Sequence, residues 1–282
     1  AFAIGGASQM AGGAMQVVSV GRLFLGGYLP GILLGLSMLV ISMIIAVIKK
    51  YPRGERYNFR QGLRVAADGI LAMFTAVIVV GGVIIGVFTA TEAAAFACIY
   101  AFVVAFFVYR EVPLRRFIKV LYASLKTLAI VMSVIAAAGA FGFVMARLRI
   151  PARATEWLLG ITDNYYLLLL LVNAMLLVLG CIMDMAPLIL ICTPILYPVL
   201  VLKMGMDPIH FGIMMLLNLA IGLCTPPVGS ALFVGSAIGK ISIRRATRGC
   251  LPFYIAMLVT LILVTYVPII TLWLPNLVMG AH

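Results

Sequence analysis

The chain has 282 residues, 65% of them hydrophobic and only 10% charged, with a formal net charge of +12 and a mean hydropathy of +1.23. Soluble domains run about 45–50% apolar and about 25% charged, so this composition excludes a soluble fold and places the chain in a lipid bilayer. Apolar runs near the roughly 20 residues of a spanning helix exclude a barrel, whose strands would be about 10 residues of strict alternation. The basic residues sit in short loops between apolar runs, where membrane topology puts them, so the positive charge is no sign of nucleic-acid binding. Cys98, Cys181, Cys192, Cys224 and Cys250 are scattered without CxxC spacing, which indicates neither a zinc site nor a disulfide framework.

In chain order, the first strong span is Leu23 to Ile48, followed by Lys49, Lys50, Arg53, Arg56, Arg60 and Arg64, a cytoplasmic loop offset only by Glu55. Gly69 to Phe88 and Ala93 to Tyr109 form two apolar stretches around Thr89-Ala90-Thr91-Glu92 and end at Arg110, Arg115, Arg116 and Lys119. Glu92 reads as a first-turn acid capping the second stretch. If the turn dips into the bundle, Thr89, Thr91 and Glu92 instead face a substrate path. The glycines Gly81, Gly82 and Gly86 read as close helix packing. Val120 to Ala146 then leads outward to Arg147, Arg149 and Arg153, a basic patch where the charge rule expects few.

Tyr165 to Leu179 and Ala186 to Leu202 are apolar but about 15 to 17 residues long, short of the roughly 20 needed to cross. They flank Gly180-Cys181-Ile182-Met183-Asp184-Met185 and predict a re-entrant helical hairpin. Asp184 has two readings: a functional intramembrane carboxylate, or an N-cap for a helix with Pro187 in its first turn.

The run Pro208 to Gly239 is interrupted by Gly222-Leu223-Cys224-Thr225-Pro226-Pro227-Val228-Gly229, which no continuous helix survives. Proline lacks an N–H and clashes with the preceding turn, so carbonyls around Leu223 to Thr225 lose their intrahelical partners. In lipid, such freed groups persist only where protein or a water-filled cavity satisfies them, as at the ion sites of secondary transporters. Gly222 and Thr225 can offer carbonyls, Thr225 a hydroxyl as well, and Gly180 at the hairpin tip can approach them; the competing reading is a kink needed only for packing. Asn218, one turn earlier, is placed to bond freed carbonyls across the break. His210 reads as interfacial, and neither it nor His282 belongs to a metal cluster. Lys240, Arg244, Arg245 and Arg248 return the chain to the cytoplasm, and a final span runs from Leu251 to Leu274.

Val18-Ser19-Val20 with Gly27-Tyr28-Leu29-Pro30 resembles Ile241-Ser242-Ile243 with Gly249-Cys250-Leu251-Pro252 at an offset of 222 to 223 residues. The two copies enter their spans from opposite faces, the mark of inverted repeats. On that offset, the counterpart of the 222–229 break falls around Ala1 to Gly6, and the equivalent of Val120 through Gly222 lies upstream of residue 1. No nucleophile–base arrangement, phosphate loop or metal-ligand spacing appears, so the chain reads as neither an enzyme nor an ATP-driven pump, and no cofactor is expected. Ion-gradient transport fits best. The alternative is a membrane scaffold or channel-forming subunit without coupled transport.

Gly86-Val87-Phe88-Thr89-Ala90-Thr91-Glu92-Ala93-Ala94-Ala95, Met183-Asp184-Met185-Ala186-Pro187, Thr193-Pro194-Ile195-Leu196-Tyr197-Pro198, and Gly205-Met206-Asp207-Pro208 through Thr225-Pro226-Pro227-Val228-Gly229 together resemble the large membrane subunit of TRAP transporters, the tripartite ATP-independent periplasmic (DctM-like) family. The resemblance runs from about Val17 to Pro275 and implies a multi-pass subunit of the bacterial inner membrane. It also implies sodium-driven import of an organic acid, such as a dicarboxylate or sialic acid. A periplasmic binding protein would deliver that acid, and a small membrane subunit would act as scaffold. An all-α, inverted-repeat elevator fold follows from it, with sodium held at positions matching Gly180, Gly222, Thr225 and Val228.

The chain then divides into residues 1–22, a remnant of a first-repeat broken helix; 23–119, scaffold and connecting helices; 120–250, a second-repeat transport region with its hairpin at 165–202 and broken helix at 208–239; and 251–282, a C-terminal transmembrane helix. The family's Pro-Pro-Ser break and Ser-rich hairpin are not found in residues 1 to 30. Residues 1 to 282 reconstituted without other chains are therefore expected not to transport, and robust sodium-dependent uptake by them would overturn that reading.

Overall fold

A computed structural model of the chain describes residues 19–51, 59–109, 113–162 and 164–280; the expected first-repeat remnant in residues 1–18, Arg53, Glu55, Arg56, Arg110, Asp163 and His282 lie outside them. Among the described residues every regular element is a helix: α1 (Val20–Ile48), α2 (Phe59–Ile84), α3 (Ala90–Val103), α4 (Leu114–Arg147), α5 (Ile150–Ile161), α6 (Tyr165–Ile182), α7 (Met185–Tyr197), α8 (Pro208–Leu223), α9 (Ser230–Ile238), α10 (Ile243–Tyr266) and α11 (Ile269–Met279). Wider π-helical turns extend α3 through Val104–Val108 and α7 through Pro198–Lys203. The second begins at a proline, whose missing N–H removes the tighter bond. Among the described residues six helical stretches are long and apolar enough to cross a membrane. At about 1.5 Å per residue the 29-residue α1 measures roughly 43 Å, more than the roughly 30 Å hydrocarbon core. Its outward side carries Ile32, Leu36, Leu39, Met43 and Val47, an apolar surface suited to lipid.

The chain forms two compact units, Lys49–Met132 and the remainder; α4 contributes to both. In the smaller unit, α2 and α3 pair as an antiparallel hairpin held by aromatic contacts. The Tyr100 hydroxyl donates to the Leu71 carbonyl at 2.9 Å, and Phe74 lies against the Tyr100 ring. Gly82 serves this unit rather than packing between spans, because a Cβ there would lie 2.7 Å from the Phe88 ring folded back over it. Gly86, with φ +78°, makes the turn itself.

The larger unit is organised around α8. Its residues are apolar on all sides, the pattern of a helix buried within protein. Phe211, Met214, Met215 and Leu219 pack with Leu168, Leu169, Val172 and Leu176 of α6 and with Leu188, Leu196 and Tyr197 of α7. The opposite ridge, Ile209, Ile213, Leu217 and Ile221, spaced by four residues, packs against Met257, Leu261 and Val264 of α10. Asp207 starts α8 by accepting from the amides of Ile209 and His210 at 2.7 and 3.3 Å, with Pro208 at the first helical position. Asn164 caps α6 in the same way.

Three features depart from the sequence reading. The basic patch around Arg149 and Arg153 leads into a separate short helix, α5. The span expected over Leu251 to Leu274 breaks at Val267-Pro268: the residue before a proline disfavours helical backbone, and Val267 adopts φ −121°, ψ 81°. The segments flanking residue 183 reach 18 and 19 residues once their ends and the π turn are included, so length alone does not prevent either from crossing.

Polar side chains pin the apolar packing. Asn218, fully buried, donates through Nδ2 to the Asn173 carbonyl and to its Oδ1 at 3.0 and 2.8 Å, so it ties α8 to α6 instead of spanning the break. His210 is not at the bundle surface: it is buried, with Nδ1 2.8 Å from Thr271 Oγ1 and Nε2 3.2 Å from the Thr265 carbonyl, joining α8 to both sides of the α10–α11 bend.

At the far end of the α6–α8 seam the backbones touch. A Cβ added to Gly222 would lie 2.7 Å from the Gly180 carbonyl carbon and 2.8 Å from its Cα, whereas one on Gly180 would meet nothing closer than 3.3 Å. Gly222→Ala is therefore expected to lower the stability of the purified protein by about 1–3 kcal/mol, and Gly180→Ala by less. Thermal unfolding in detergent gives the order; equal midpoints for both variants would contradict this contact.

Candidate functional site

The break occupies Cys224 to Gly229, between α8 and α9. Its backbone groups divide into those with partners and those without. The Ile221 carbonyl accepts from the Cys224 amide at 3.0 Å and from Thr225 Oγ1 at 2.7 Å, and the Gly222 carbonyl accepts from the Thr225 amide at 2.9 Å. Pro226 and Pro227, joined by a cis peptide, offer no donors. The amides of Val228 and Gly229 both donate to the Cys181 carbonyl at 3.2 Å, so the end of α6 satisfies the two donors that open α9. From α10, the Tyr254 hydroxyl donates to the Cys224 carbonyl at 2.8 Å.

Two carbonyls are left over. Gly229 has φ +40°, a left-handed conformation that glycine adopts without steric cost. Its absent side chain leaves space for them: a Cβ there would lie 2.7 Å from the Thr225 oxygen and 3.1 Å from the Leu223 oxygen. Among the described residues no donor reaches either oxygen. Two acceptors thus converge on one small space beside the α6–α8 crossing. Leu223 and Thr225 are partly buried, and a carbonyl shielded from water without a partner is costly; a hard cation or a water would satisfy it.

The structure brings Gly180, Gly222, Thr225 and Val228 together. Gly180 and Gly222 are in backbone contact, Thr225 and Val228 lie in the loop, and the residue next to Gly180 holds the Val228 amide. Sequence reasoning named the freed carbonyls around Leu223 to Thr225 but did not single out Cys181, Gly229 or Tyr254. Leu223 and Gly229 lay inside the quoted break, where proline's lost donor points to freed carbonyls; no local signal connects Cys181 or Tyr254 to it.

Asp184 occupies the N-cap position of α7 with extended backbone, but its exposed side chain makes no cap hydrogen bond, so the expected capping role is not realised. Thr89, Thr91 and Glu92 belong to the smaller unit. There Thr89 and Glu92 form a reciprocal capping box: the Thr89 amide and hydroxyl each donate to Glu92 Oε2 at 2.8 Å, and Thr89 Oγ1 accepts from the Glu92 amide at 3.3 Å.

An all-helical arrangement with six stretches long and apolar enough to span, among the described residues, defines the class: a multi-pass membrane protein. The chain belongs to the family described as "Tripartite ATP-independent periplasmic transporter, DctM component", whose model matches residues 7–270. It is 42% identical over 263 residues to the C4-dicarboxylate TRAP transporter large permease protein DctM of Pseudomonas aeruginosa, covering 93% of this chain and 61% of that protein. It is 39% identical to the protein of the same name from Rhodobacter capsulatus, covering 94% and 60%. To the sialic acid TRAP transporter large permease protein SiaM of Vibrio cholerae it is 38% identical, covering 95% and 62%. The chain thus spans about three-fifths of the length of these relatives. Family and helices together make it a multi-pass protein of the bacterial inner membrane, and members of this family are permeases, not enzymes.

Replacing Thr89 by Ala removes the cap of α3 at a cost of about 1 kcal/mol. Amide hydrogen exchange at Glu92 should then quicken several-fold, with uptake per folded transporter unchanged; unaltered exchange would mean that the box does not hold the helix end, and reduced uptake would restore the substrate-path reading.

Proposed function

We propose that this chain is the part of a TRAP large permease that carries a sodium site and a share of the transport block, in a secondary transporter that imports an organic acid. The acid is of the dicarboxylate or sialic-acid kind named for the relatives, delivered by a periplasmic binding protein, and the permease works beside a small membrane subunit. The observation that carries this reading is the pair of unpartnered carbonyls, Leu223 and Thr225, turned toward Gly229 where α6 meets α8. Carbonyls of unwound helices are donors of the type that coordinate sodium in secondary transporters. Thr225 Oγ1 spends its hydrogen on Ile221 and keeps lone pairs for a cation. Gly180 and Gly222 meet at the adjoining helix crossing, and Val228 precedes Gly229 in the loop.

In this reading α8 and α9 are one broken helix and α6 and α7 a re-entrant hairpin. Because the Cys181 carbonyl bonds the Val228 and Gly229 amides, the hairpin tip lies level with the break. Dense packing of α6 and α7 on α8, with the Asn173–Asn218 pair inside it, suits these helices to moving as one rigid block in an elevator motion. Ion occupancy at the seam would lock the hairpin to the broken helix before the block moves.

In the complete transporter reconstituted with its partner proteins, tracer uptake should require an inward sodium gradient. Thr225→Ala should raise the sodium concentration giving half-maximal uptake. A sodium activation curve superposing on that of the unaltered protein would leave the break as a packing kink.

A further inference from the structure

Tyr254 stands 30 residues from the break in sequence, on α10, yet its hydroxyl donates to the Cys224 carbonyl at 2.8 Å. That carbonyl would otherwise be bonded by the amide four residues on, but the Val228 amide is committed to Cys181. A tyrosine hydroxyl has a single hydrogen, and here it goes to Cys224.

Cys224 lies between the two residues whose carbonyls are unpartnered. Its own carbonyl belongs to the planar peptide that joins it to Thr225, so anchoring that oxygen on α10 fixes the orientation of the whole peptide plane. With the Cys224 oxygen held toward α10, the Leu223 and Thr225 oxygens face the space beside Gly229. The other edge of the same peptide plane is held within the chain turn, where the Thr225 amide donates to the Gly222 carbonyl at 2.9 Å, so the phenol supplies the anchor on the side that faces α10.

We infer that Tyr254 is a positioning residue for the cation site: its hydroxyl latches the Cys224 peptide to α10 and so aims the Leu223 and Thr225 carbonyls at the bound ion. The inference rests on the sodium-coupled reading above. It assigns α10 a part in ion affinity, although no atom of Tyr254 touches the ion.

Tyr254→Phe in the complete, reconstituted transporter removes only the hydroxyl. The sodium concentration for half-maximal uptake should rise roughly three- to tenfold, the range set by one net hydrogen bond. Maximal uptake at saturating sodium and the apparent KM for the organic acid measured there should stay the same. A purely structural role would reduce the amount of active transporter and its maximal rate but leave the half-saturating sodium concentration in place, and that result overturns the latch. Half-saturation does not depend on how much protein folds, so a lower yield does not obscure the comparison. Absence of sodium activation in the unaltered transporter would overturn the coupled reading and the latch together; sodium activation with coincident curves for the two proteins overturns the latch alone.

Discussion

An apolar helical run interrupted by a double proline frees backbone groups, most of which must find partners elsewhere in the fold. Each unsatisfied group in lipid costs several kcal/mol, comparable to a large part of a domain's net stability. At Pro226-Pro227 the partners come from other helices. The Cys181 carbonyl takes the amides of Val228 and Gly229, and it can do so because Gly180 and Gly222 let the two backbones approach to van der Waals contact. That approach governs the rest of the larger unit: it sets how α6 lies on α8, and therefore where the turn before α7 falls and which carbonyls of the break stay open.

The polar pairs along the same helices set their register. In an apolar bundle, sliding one helix along another exchanges one apolar contact for a similar one, so packing alone discriminates weakly between registers. A buried amide pair does not slide. Asn173 and Asn218 fix α6 against α8 about one turn from the break, and His210 fixes the start of α8 against the bend at Val267-Pro268. With both ends held, the open carbonyls lie in a rigid frame, which suits an ion site whose selectivity depends on oxygen positions. The smaller unit obeys the same economy on a local scale, since Thr89 and Glu92 satisfy the helix end between them.

Much of this architecture was legible along the chain because its causes are local: the apolar runs give the helices, and Pro226-Pro227 announces the break. Where the reading failed, the cause lay elsewhere in the fold. Val267-Pro268 has the same kind of local signal, yet it was absorbed into a span because the surrounding run is apolar enough to hide it. Asn218 stands one turn from freed carbonyls, within reach by sequence, but its partner is Asn173, 45 residues away. Asp184 carries the sequence of a cap, while the backbone there leaves its carboxylate exposed and unbonded.

By itself the sequence determined that this is a helical membrane protein and that the apolar run from Pro208 to Gly239 must be interrupted at the double proline. Apolar length and the missing proline N–H are properties of single segments. Only the tertiary structure decided which oxygens stay open. The partners that close the others, Cys181 on α6 and Tyr254 on α10, reach the break through packing alone, across 47 and 30 residues of chain respectively. Where a freed carbonyl turns is set by the nearest donor in space, and no pattern along a single segment encodes that distance.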